Sequence, residues 1–167
     1  MEYLILSDSH RAADKIREVL ARQVSRPNGV FFLGDGVSDA KEAVGSLPLY
    51  TVRGNCDGFL SPDDQSPAER TVTVGNLRIL LMHGHLFSVK AGPGAAIAYA
   101  ARSGADILLF GHTHEAYTET IDAGESVGGA VLSRPLLVCN PGSIGYDGSF
   151  AVLTVKDGIP HISFGTL

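Results

Sequence analysis

The sequence predicts an α/β fold in which two β-sheets pack face to face and helices cover their outer surfaces. The first third alternates between strand-like and helix-like patterns, the middle holds a hairpin followed by a helix and a strand, and the last third has short strands without helices. At 167 residues and 44% hydrophobic content, the chain is long enough to bury a sizeable core. We therefore expect a single domain spanning residues 1–167.

The N-terminal part of the chain has a βαβαβ pattern. Apolar runs predict strands at residues 3–6, 30–33 and 48–52. Between the first two strands, Ile16, Val19, Leu20 and Val24 recur at helical spacing, and a shorter helix is predicted over residues 38–44. Strands connected through helices are normally parallel, so ligands are expected at the carboxyl ends of these strands.

The middle of the chain contains a loop, a hairpin and a helix followed by a strand. Two prolines and three acidic residues predict a surface loop over residues 61–69. A Gly-Asn pair separates strand patterns at residues 70–74 and 77–82, which predicts a β-hairpin. A Gly-Pro-Gly segment opens an alanine-rich helix that is expected to end near Ser103, and a strand follows at residues 106–110.

The last third of the sequence predicts a second, largely antiparallel sheet. Turn-forming pairs of an acidic residue with glycine separate its apolar runs. The predicted strands are residues 116–121, 130–132, 136–138, 150–155 and 161–164. Two sheets packed face to face, each with an outer layer of helix where the sequence supplies one, is the architecture that we expect.

Charge and composition argue against several classes of function. A net charge of -5 with 13 scattered basic residues does not favour a nucleic-acid binder. Cys56 and Cys139 make no disulfide framework and fit reduced thiols in a cytoplasmic protein. The first residues lead directly into a strand, so we expect no signal peptide. The most apolar long window, residues 92–111, contains Arg102 and Asp106 and does not predict a membrane span.

Five of the predicted strands end in polar residues of the kinds that bind metals. In chain order these residues are Asp8, His10, Asp35, Asn55, His83, His112 and His114. A histidine at the end of a buried strand is costly without a partner, and neutral imidazole is a common metal ligand. Residues two apart on an extended segment point the same way, which pairs Asp8 with His10 and His112 with His114.

Seven such side chains converging on one sheet edge are too many for one ion. They fit a two-metal site in which one carboxylate bridges ions about 3.5–4 Å apart. Oxygen and imidazole ligands without a thiolate cluster favour manganese, iron or zinc over calcium. Taken singly, Asp8 or Asp35 could cap a helix and His83 could be a core histidine, but their joint occurrence favours the metal site. His85 is expected to support it.

The chain resembles a known family in the motifs that hold these residues. The motifs are Asp8-Ser9-His10, Gly34-Asp35, Gly54-Asn55-Cys56-Asp57, His83-Gly84-His85 and Gly111-His112-Thr113-His114. They are similar to the five ordered motifs of the calcineurin-like metallophosphoesterases. A further segment, Asn140-Pro141-Gly142-Ser143, and the short length resemble the small YfcE-like phosphodiesterases of bacteria and archaea, although the segment alone could be only a turn.

The resemblance implies a four-layer α/β/β/α sandwich of two mixed sheets with a dinuclear metal centre. One ion would bind Asp8, His10, Asp35 and His114, and the other Asp35, Asn55, His83 and His112. The implied activity is hydrolysis of a phosphate ester, as a phosphodiesterase, by attack of a metal-bridging hydroxide. Manganese is the first expectation for both ions, with iron, zinc or nickel as alternatives. We expect a small phosphate-ester substrate, no membrane or nucleic-acid partner, and leave a homodimer or homotetramer open.

Cys56 departs from the larger superfamily, which usually has histidine at this place to contact the phosphate or protonate the leaving group. A thiol with an ordinary pKa of about 8.5 is a poorer match for that role. Activity is therefore expected to favour good leaving groups, or to use Asp57 or a metal-bound water as the acid. Asn55, Cys56 and Asp57 are the candidate catalytic residues.

Two other functions remain open from the sequence. One is a protein-interaction scaffold, since the related retromer subunit keeps this fold while losing ligands, and the other is a nuclease. The ligand set of this chain is complete, which favours the enzyme, and no basic groove is evident for a nuclease.

Overall fold

The computed structural model describes residues 1–60 and 64–167, which form two five-stranded sheets packed face to face. The first sheet has the strand order β12 (Ile159–Thr166), β11 (Ser149–Lys156), β1 (Glu2–Leu6), β2 (Gly29–Phe32) and β3 (Leu49–Thr51). The second has the order β4 (Glu69–Val74), β5 (Leu77–Met82), β6 (Ile107–Leu109), β10 (Leu136–Pro141) and β7 (Ala116–Ile121).

The remaining elements are helices and one small hairpin. The α-helices are α1 (Ala13–Arg22), α2 (Val37–Val44), α3 (Asp57–Leu60) and α4 (Gly94–Arg102). Two 3-10 turns, His85–Phe87 and Val89–Ala91, lie between β5 and α4, while β8 (Ser126–Val127) pairs with β9 (Ala130–Val131). Among the described residues, no helix has the length and apolar character needed to cross a membrane.

The side chains of each strand alternate between the core that lies between the sheets and a cluster on the outer face of the sheet. Ile5 of β1 and Leu81 of β5 belong to the cluster between the sheets. Leu4 and Leu6 point the other way, into a cluster with α1 and α2, and Leu80 of β5 packs into a third cluster with α4. Helices thus cover the outer face of each sheet, and the predicted α/β/β/α sandwich of two mixed sheets is confirmed.

The assignment of strands to sheets differs from the prediction in several respects. The predicted strand at residues 130–132 is found as β9, which pairs with β8 in a separate two-stranded sheet. The last two strands, β11 and β12, join the first sheet, where β11 pairs antiparallel with β1. The second sheet instead takes the hairpin β4–β5 together with β6, β7 and β10, and its three central strands are parallel. An alternating burial pattern predicts a strand with one buried face, but pairing across more than a hundred residues decides which sheet the strand joins.

Some helix and strand boundaries in the structure differ by a few residues from those predicted from the sequence. Helix α1 ends at Arg22, so Val24, which was assigned to the helix pattern, lies beyond it and is fully exposed. Strand β10 continues to Pro141, three residues past the predicted end. In the predicted surface loop at residues 61–69, positions 61–63 lie outside the described residues, while Asp64 is buried and paired with Lys41.

The parallel strands place their following loops at one edge of the molecule. Leu6 of β1 is in register with Phe32 of β2, and Leu81 of β5 with Leu109 of β6. The two sheets meet at this edge, since His83 after β5 contacts Leu33 after β2. The candidate metal ligands all follow these strand ends.

Candidate metal centre

The structure brings all seven predicted ligands to the edge where the parallel strands end. The possible ligand atoms form three sets, and the atoms within each set all lie within 4.8 Å of one another. One set is Asp8, His10 and His114, the second is Asp35, His83 and His112, and the third is His10, Asp35 and Cys56. The first two sets match the division between two ions that the family resemblance implies, with Asp35 in two of the sets.

The first set surrounds a single point. Nε2 of His114 lies 3.1 Å from Oδ1 of Asp8, and Nε2 of His10 lies 3.7 Å from the same oxygen. The two imidazole Nε2 atoms are 3.4 Å apart. Zinc-like bonds of about 2.1 Å separate neighbouring ligand atoms by about 3.0–3.4 Å, so this donor set fits a divalent ion.

The second set is built around the buried ring of His83. Its Nε2 lies 3.3 Å from Oδ2 of Asp35 and 3.2 Å from Oδ1 of Asn55. The same nitrogen lies 4.0 Å from Oδ1 of Asp8, so the two sets adjoin. Carboxylate, amide and imidazole donors at these separations also fit a divalent ion.

The backbone fixes the orientation of His83. Its Nδ1 donates a hydrogen bond of 2.6 Å to the carbonyl oxygen of Leu33, and the ring is fully buried. With Nδ1 bonded to Leu33, Nε2 faces Asp35 and Asn55, the orientation that metal-binding histidines use.

Asp8 and His10 stabilise each other's charged forms. Burial would raise the pKa of Asp8, but the nearby imidazole of His10, the hydrogen bond from His114 and the charge of His83 hold it well below its usual range. The Asp8 carboxylate, 3.7 Å from Nε2, raises the pKa of His10 against the effect of burial. A divalent cation would replace the protons that this cluster otherwise binds.

The second set contains groups whose pKa values move in opposite directions. Burial would lower the pKa of His83, but the hydrogen bond to Asp35 and the charges of Asp8 and Asp35 raise it. Burial, the charge of His83 and then that of Lys90 lower the pKa of His112 to about 4. His112 is therefore a neutral imidazole at pH 7, the form that binds metals.

His85 lies beside the second set without belonging to it. Its ring centroid is 5.4 Å from that of His83 and 6.1 Å from that of His112. Its Nδ1 is the one buried side-chain nitrogen or oxygen in residues 1–60 and 64–167 that lacks a hydrogen-bond partner. Burial and the charge of His83 lower its pKa. His85 therefore places a ring nitrogen without a hydrogen-bond partner, Nδ1, beside the candidate ligands.

Backbone strain is concentrated in the candidate ligands. Of the eight non-glycine residues described with positive φ, five are Asp8 (57°), His10 (45°), Asp35 (58°), His112 (69°) and His114 (65°). Each such residue costs about 1–3 kcal/mol and persists only where its surroundings hold it. Here the amides of Asp8 and His10 donate to the carbonyls of Gly34 and Asp35. Strain of this kind is typical of functional sites.

The end of β10 and the turn after it hold the loops of the site in place, which the sequence did not predict. Nδ2 of buried Asn140 donates to the carbonyl of Gly111 and to Oγ1 of Thr113, both at 2.9 Å, within the loop of His112 and His114. Oγ of Ser143 donates at 2.8 Å to the carbonyl of Asp8. The signal was present in the sequence, because two polar residues follow an apolar strand at the same edge.

Asp57 is a candidate acid from the sequence, but its environment in the structure indicates a structural role. Its carboxylate is fully buried and accepts four backbone hydrogen bonds. The donors are the amides of Asp35, Gly36, Val37 and Gly54, at 2.8 to 3.0 Å. With both oxygens occupied by amides, the carboxylate ties the loops after β2 and β3 together and does not face the open site.

Asp57→Ala is expected to lower the free energy of unfolding by about 3–5 kcal/mol, because it leaves several buried amides without an acceptor. Urea unfolding of the metal-free protein, followed by circular dichroism, measures this. Asp147→Ala removes an exposed aspartate and serves as the control, with an expected change within about 0.5 kcal/mol. Equal stability of the two variants would contradict the role given to Asp57.

Cys56 lies beside Asp35 and Asn55. Its amide donates to Oδ1 of Asp35 at 2.7 Å, and its Sγ accepts from Nδ2 of Asn55 at 3.3 Å. Burial and the nearby Asp35 carboxylate raise the pKa of the thiol to about 11. The thiol is therefore neutral at pH 7 and a weak proton donor.

Comparisons with known proteins find phosphoesterase relatives. The chain is 28% identical over 169 aligned residues to YsnB of Bacillus subtilis (strain 168), a probable metallophosphoesterase, and the match covers 98% of this chain and 90% of YsnB. A predicted phosphoesterase from Streptococcus pneumoniae TIGR4 has a similar structure, with a TM-score of 0.71, 26% identity, and coverage of 99% of this chain and 88% of the other.

Two more distant structures share the fold. A Vps29 single mutant from Entamoeba histolytica gives a TM-score of 0.66 at 21% identity and covers 100% of this chain and 99% of its own. An archaeal phosphodiesterase gives 0.66 at 23% identity, with coverage of 98% and 99%. The model of the calcineurin-like phosphoesterase superfamily domain matches residues 1–158. The chain therefore belongs to the calcineurin-like phosphoesterase superfamily.

Proposed function

We propose that the protein is a phosphodiesterase that depends on two divalent cations. The observation that carries this proposal is the pair of adjoining donor sets, one around Asp8 and one around His83, with Asp35 available to both. A single ion does not need so many donors, whereas two ions that share a carboxylate do. Membership of the superfamily supports a phosphoesterase, and the archaeal phosphodiesterase of similar fold is consistent with a diester substrate.

The residues assigned to each ion follow the two donor sets. Asp8, His10 and His114 would hold one ion, His83, His112 and Asn55 the other, and Asp35 both. Two divalent cations supply Lewis acidity, which lowers the pKa of water and neutralises phosphate charge. The Asp8 carboxylate is positioned by Ser7 Oγ at 2.5 Å and by the amide of His112 at 3.0 Å. The Asn55 amide nitrogen donates one hydrogen to Cys56 Sγ, and its second hydrogen would serve a phosphate oxygen.

The serine and cysteine side chains of the site are poorly suited to act as the nucleophile. The hydroxyls of Ser7 and Ser9 are buried and donate to Asp8 and Asp39. The Cys56 thiol is neutral, because its pKa is raised to about 11. The attacking oxygen is therefore expected to come from water and to reach phosphorus directly.

Hydrolysis in heavy-oxygen water under single-turnover conditions is expected to place the label in the phosphoryl product, because water and not a side chain attacks phosphorus. Mass spectrometry of the product gives the label position. Unlabelled product together with a phosphorylated peptide from the protein would overturn direct attack by water.

Metal analysis and a substrate panel test the proposed function as a whole. The purified protein is dialysed in turn against manganese, iron, zinc and nickel, its metal content is measured by plasma mass spectrometry, and each form is assayed with phosphate mono- and diesters. We expect manganese to give the highest diesterase activity. Failure to bind any of the four metals would refute the proposal, and metal binding without hydrolysis of any ester would favour a scaffold.

A further inference from the structure

A groove opens directly beside the candidate metal centre. It has a volume of ≈ 570 Å³. One wall is the segment 89–93 before helix α4, and the other is Phe110 with the start of β7. Its lining includes Thr113, the residue between His112 and His114. Asn140 fixes Thr113 by donating to its Oγ1 at 2.9 Å, so the groove and the ligands share one rigid loop.

The groove is too large for a phosphate ion alone. Its volume falls within the range of about 300–1,000 Å³ that is typical of sites for small organic ligands. A phosphate held by the two donor sets would need only their immediate surroundings. The remaining space accepts an organic group attached to that phosphate, which a diester has and an inorganic phosphate lacks.

The walls present both apolar and charged groups. Pro93, Ala116 and the half-buried Tyr117 supply apolar surface, whereas Val89 and Phe110 line the groove with little exposed area. Lys90 and Glu115 are exposed, and neither side chain makes a hydrogen bond or ion pair with another residue in the described ranges 1–60 and 64–167. A ligand in the groove would meet one unpaired ammonium, which can donate to its acceptors, and one unpaired carboxylate, which can accept from its donors.

We propose that this groove binds the nucleoside part of a phosphodiester whose phosphate lies on the metal centre. The Glu115 carboxylate would accept hydrogen bonds from the ribose hydroxyls, the apolar wall would contact the base, and Lys90 would donate to the phosphate or the base. This inference rests on the proposed phosphodiesterase function and narrows it to esters of nucleotides. A cis-diol bound to a carboxylate is a recurring mode of ribose recognition.

Two esters that release the same alcohol isolate the groove. Methyl 4-nitrophenyl phosphate and a ribonucleoside 5′-(4-nitrophenyl) phosphate both release 4-nitrophenol, and they differ only in the group that stays on phosphorus. We expect KM of the wild type to be at least about tenfold lower for the nucleoside ester, in line with one or two additional hydrogen bonds to charged groups.

Ala116→Trp is designed to fill the groove without disturbing the core, because Ala116 is exposed at the start of β7. It should raise KM for the nucleoside ester about tenfold and leave the methyl ester unchanged. Ala123→Trp, at an exposed turn residue, is the matched control. Glu115→Ala should raise KM for the ribonucleoside ester and leave that of its 2′,3′-dideoxy analogue unchanged.

Calorimetry with metal-loaded protein supplies a readout that needs no turnover. A ribonucleoside 5′-monophosphate should bind more tightly than inorganic phosphate to the wild type, and Ala116→Trp should remove the difference. Equal binding of both ligands, or equal KM values that Ala116→Trp does not alter, would refute the groove assignment while leaving the phosphodiesterase intact. Hydrolysis of neither ester would instead count against the proposed function, and calorimetry would still decide on the groove.

Discussion

Asp35→Asn is expected to empty both metal positions, whereas His10→Ala is expected to empty chiefly one. Asp35 contributes to two of the three donor sets, and its Oδ2 lies 3.3 Å from Nε2 of His83. His10 shares one donor set with Asp8 and His114 and another with Asp35 and Cys56, but it shares none with His83 or His112. Removing the shared carboxylate takes a negative charge from both ions, and changes to metal ligands or their supports commonly cost tenfold to a hundredfold or more in affinity.

Asparagine at position 35 keeps the shape of the loop. Oδ1 of Asp35 accepts the amide of Cys56 at 2.7 Å, and an asparagine oxygen can accept the same bond. The variant therefore removes the charge while retaining the fold, so metal loss is not a consequence of unfolding. Far-ultraviolet circular dichroism of the metal-free variants verifies this.

Plasma mass spectrometry after dialysis against manganese gives the metal content. About two ions per chain are expected for the wild type, about one for His10→Ala, and few for Asp35→Asn. His161→Ala, an exposed histidine of β12, is the matched control and should retain the wild-type content. Loss of a single ion from Asp35→Asn, with the second retained at wild-type affinity, would contradict a bridging carboxylate.

The sequence predicted which polar residues meet at the strand ends better than it predicted the sheets, and the reason is physical. Asp, His and Asn after buried strands are local features that can be identified one strand at a time. The sheet that β11 joins depends on its pairing with β1, more than a hundred residues away in the chain. Local patterns carry no information on that choice, since either sheet would bury the same alternating face.

The supporting residues were harder to predict for a different reason. Asp57 follows Cys56 in a motif of ligand-like residues, and its type alone does not distinguish a proton donor from an acceptor of buried amides. Only the geometry shows that both of its oxygens are occupied. Asn140 is a second example. Its sequence context is that of a turn, and only the structure shows its two hydrogen bonds to the loop of His112 and His114.

Cys56→His is expected to raise the rate on alkyl phosphate esters more than on nitrophenyl esters. The thiol of Cys56 has its pKa raised to about 11 by burial and Asp35, which makes it a weak proton donor. A nitrophenolate leaves readily without a proton, whereas an alkoxide does not. A histidine that protonates the alkoxide should therefore gain within the range of about 10²–10⁴-fold that is typical of general acid catalysis.

The alternative role of Cys56 is to fill space between the donor sets. Its Sγ lies within 4.8 Å of ligand atoms of His10 and Asp35, so a larger imidazole at this position could crowd them. Crowding would displace ligands and lower the rates on both classes of ester together. General acid catalysis changes the ratio of the two rates, whereas crowding lowers both rates and leaves their ratio unchanged. The ratio therefore distinguishes the two roles.

The decisive quantity is the ratio of kcat/KM for an ethyl ester to that for a nitrophenyl ester of the same phosphate, measured at equal metal occupancy. Cys56→Ser serves as the matched control, because a hydroxyl keeps the size of the thiol and is no better as an acid. General acid catalysis by the new histidine predicts a ratio that rises in Cys56→His, stays level in Cys56→Ser, and falls again at high pH as the imidazolium loses its proton. A ratio unchanged by Cys56→His would show that the leaving group departs without help from this position.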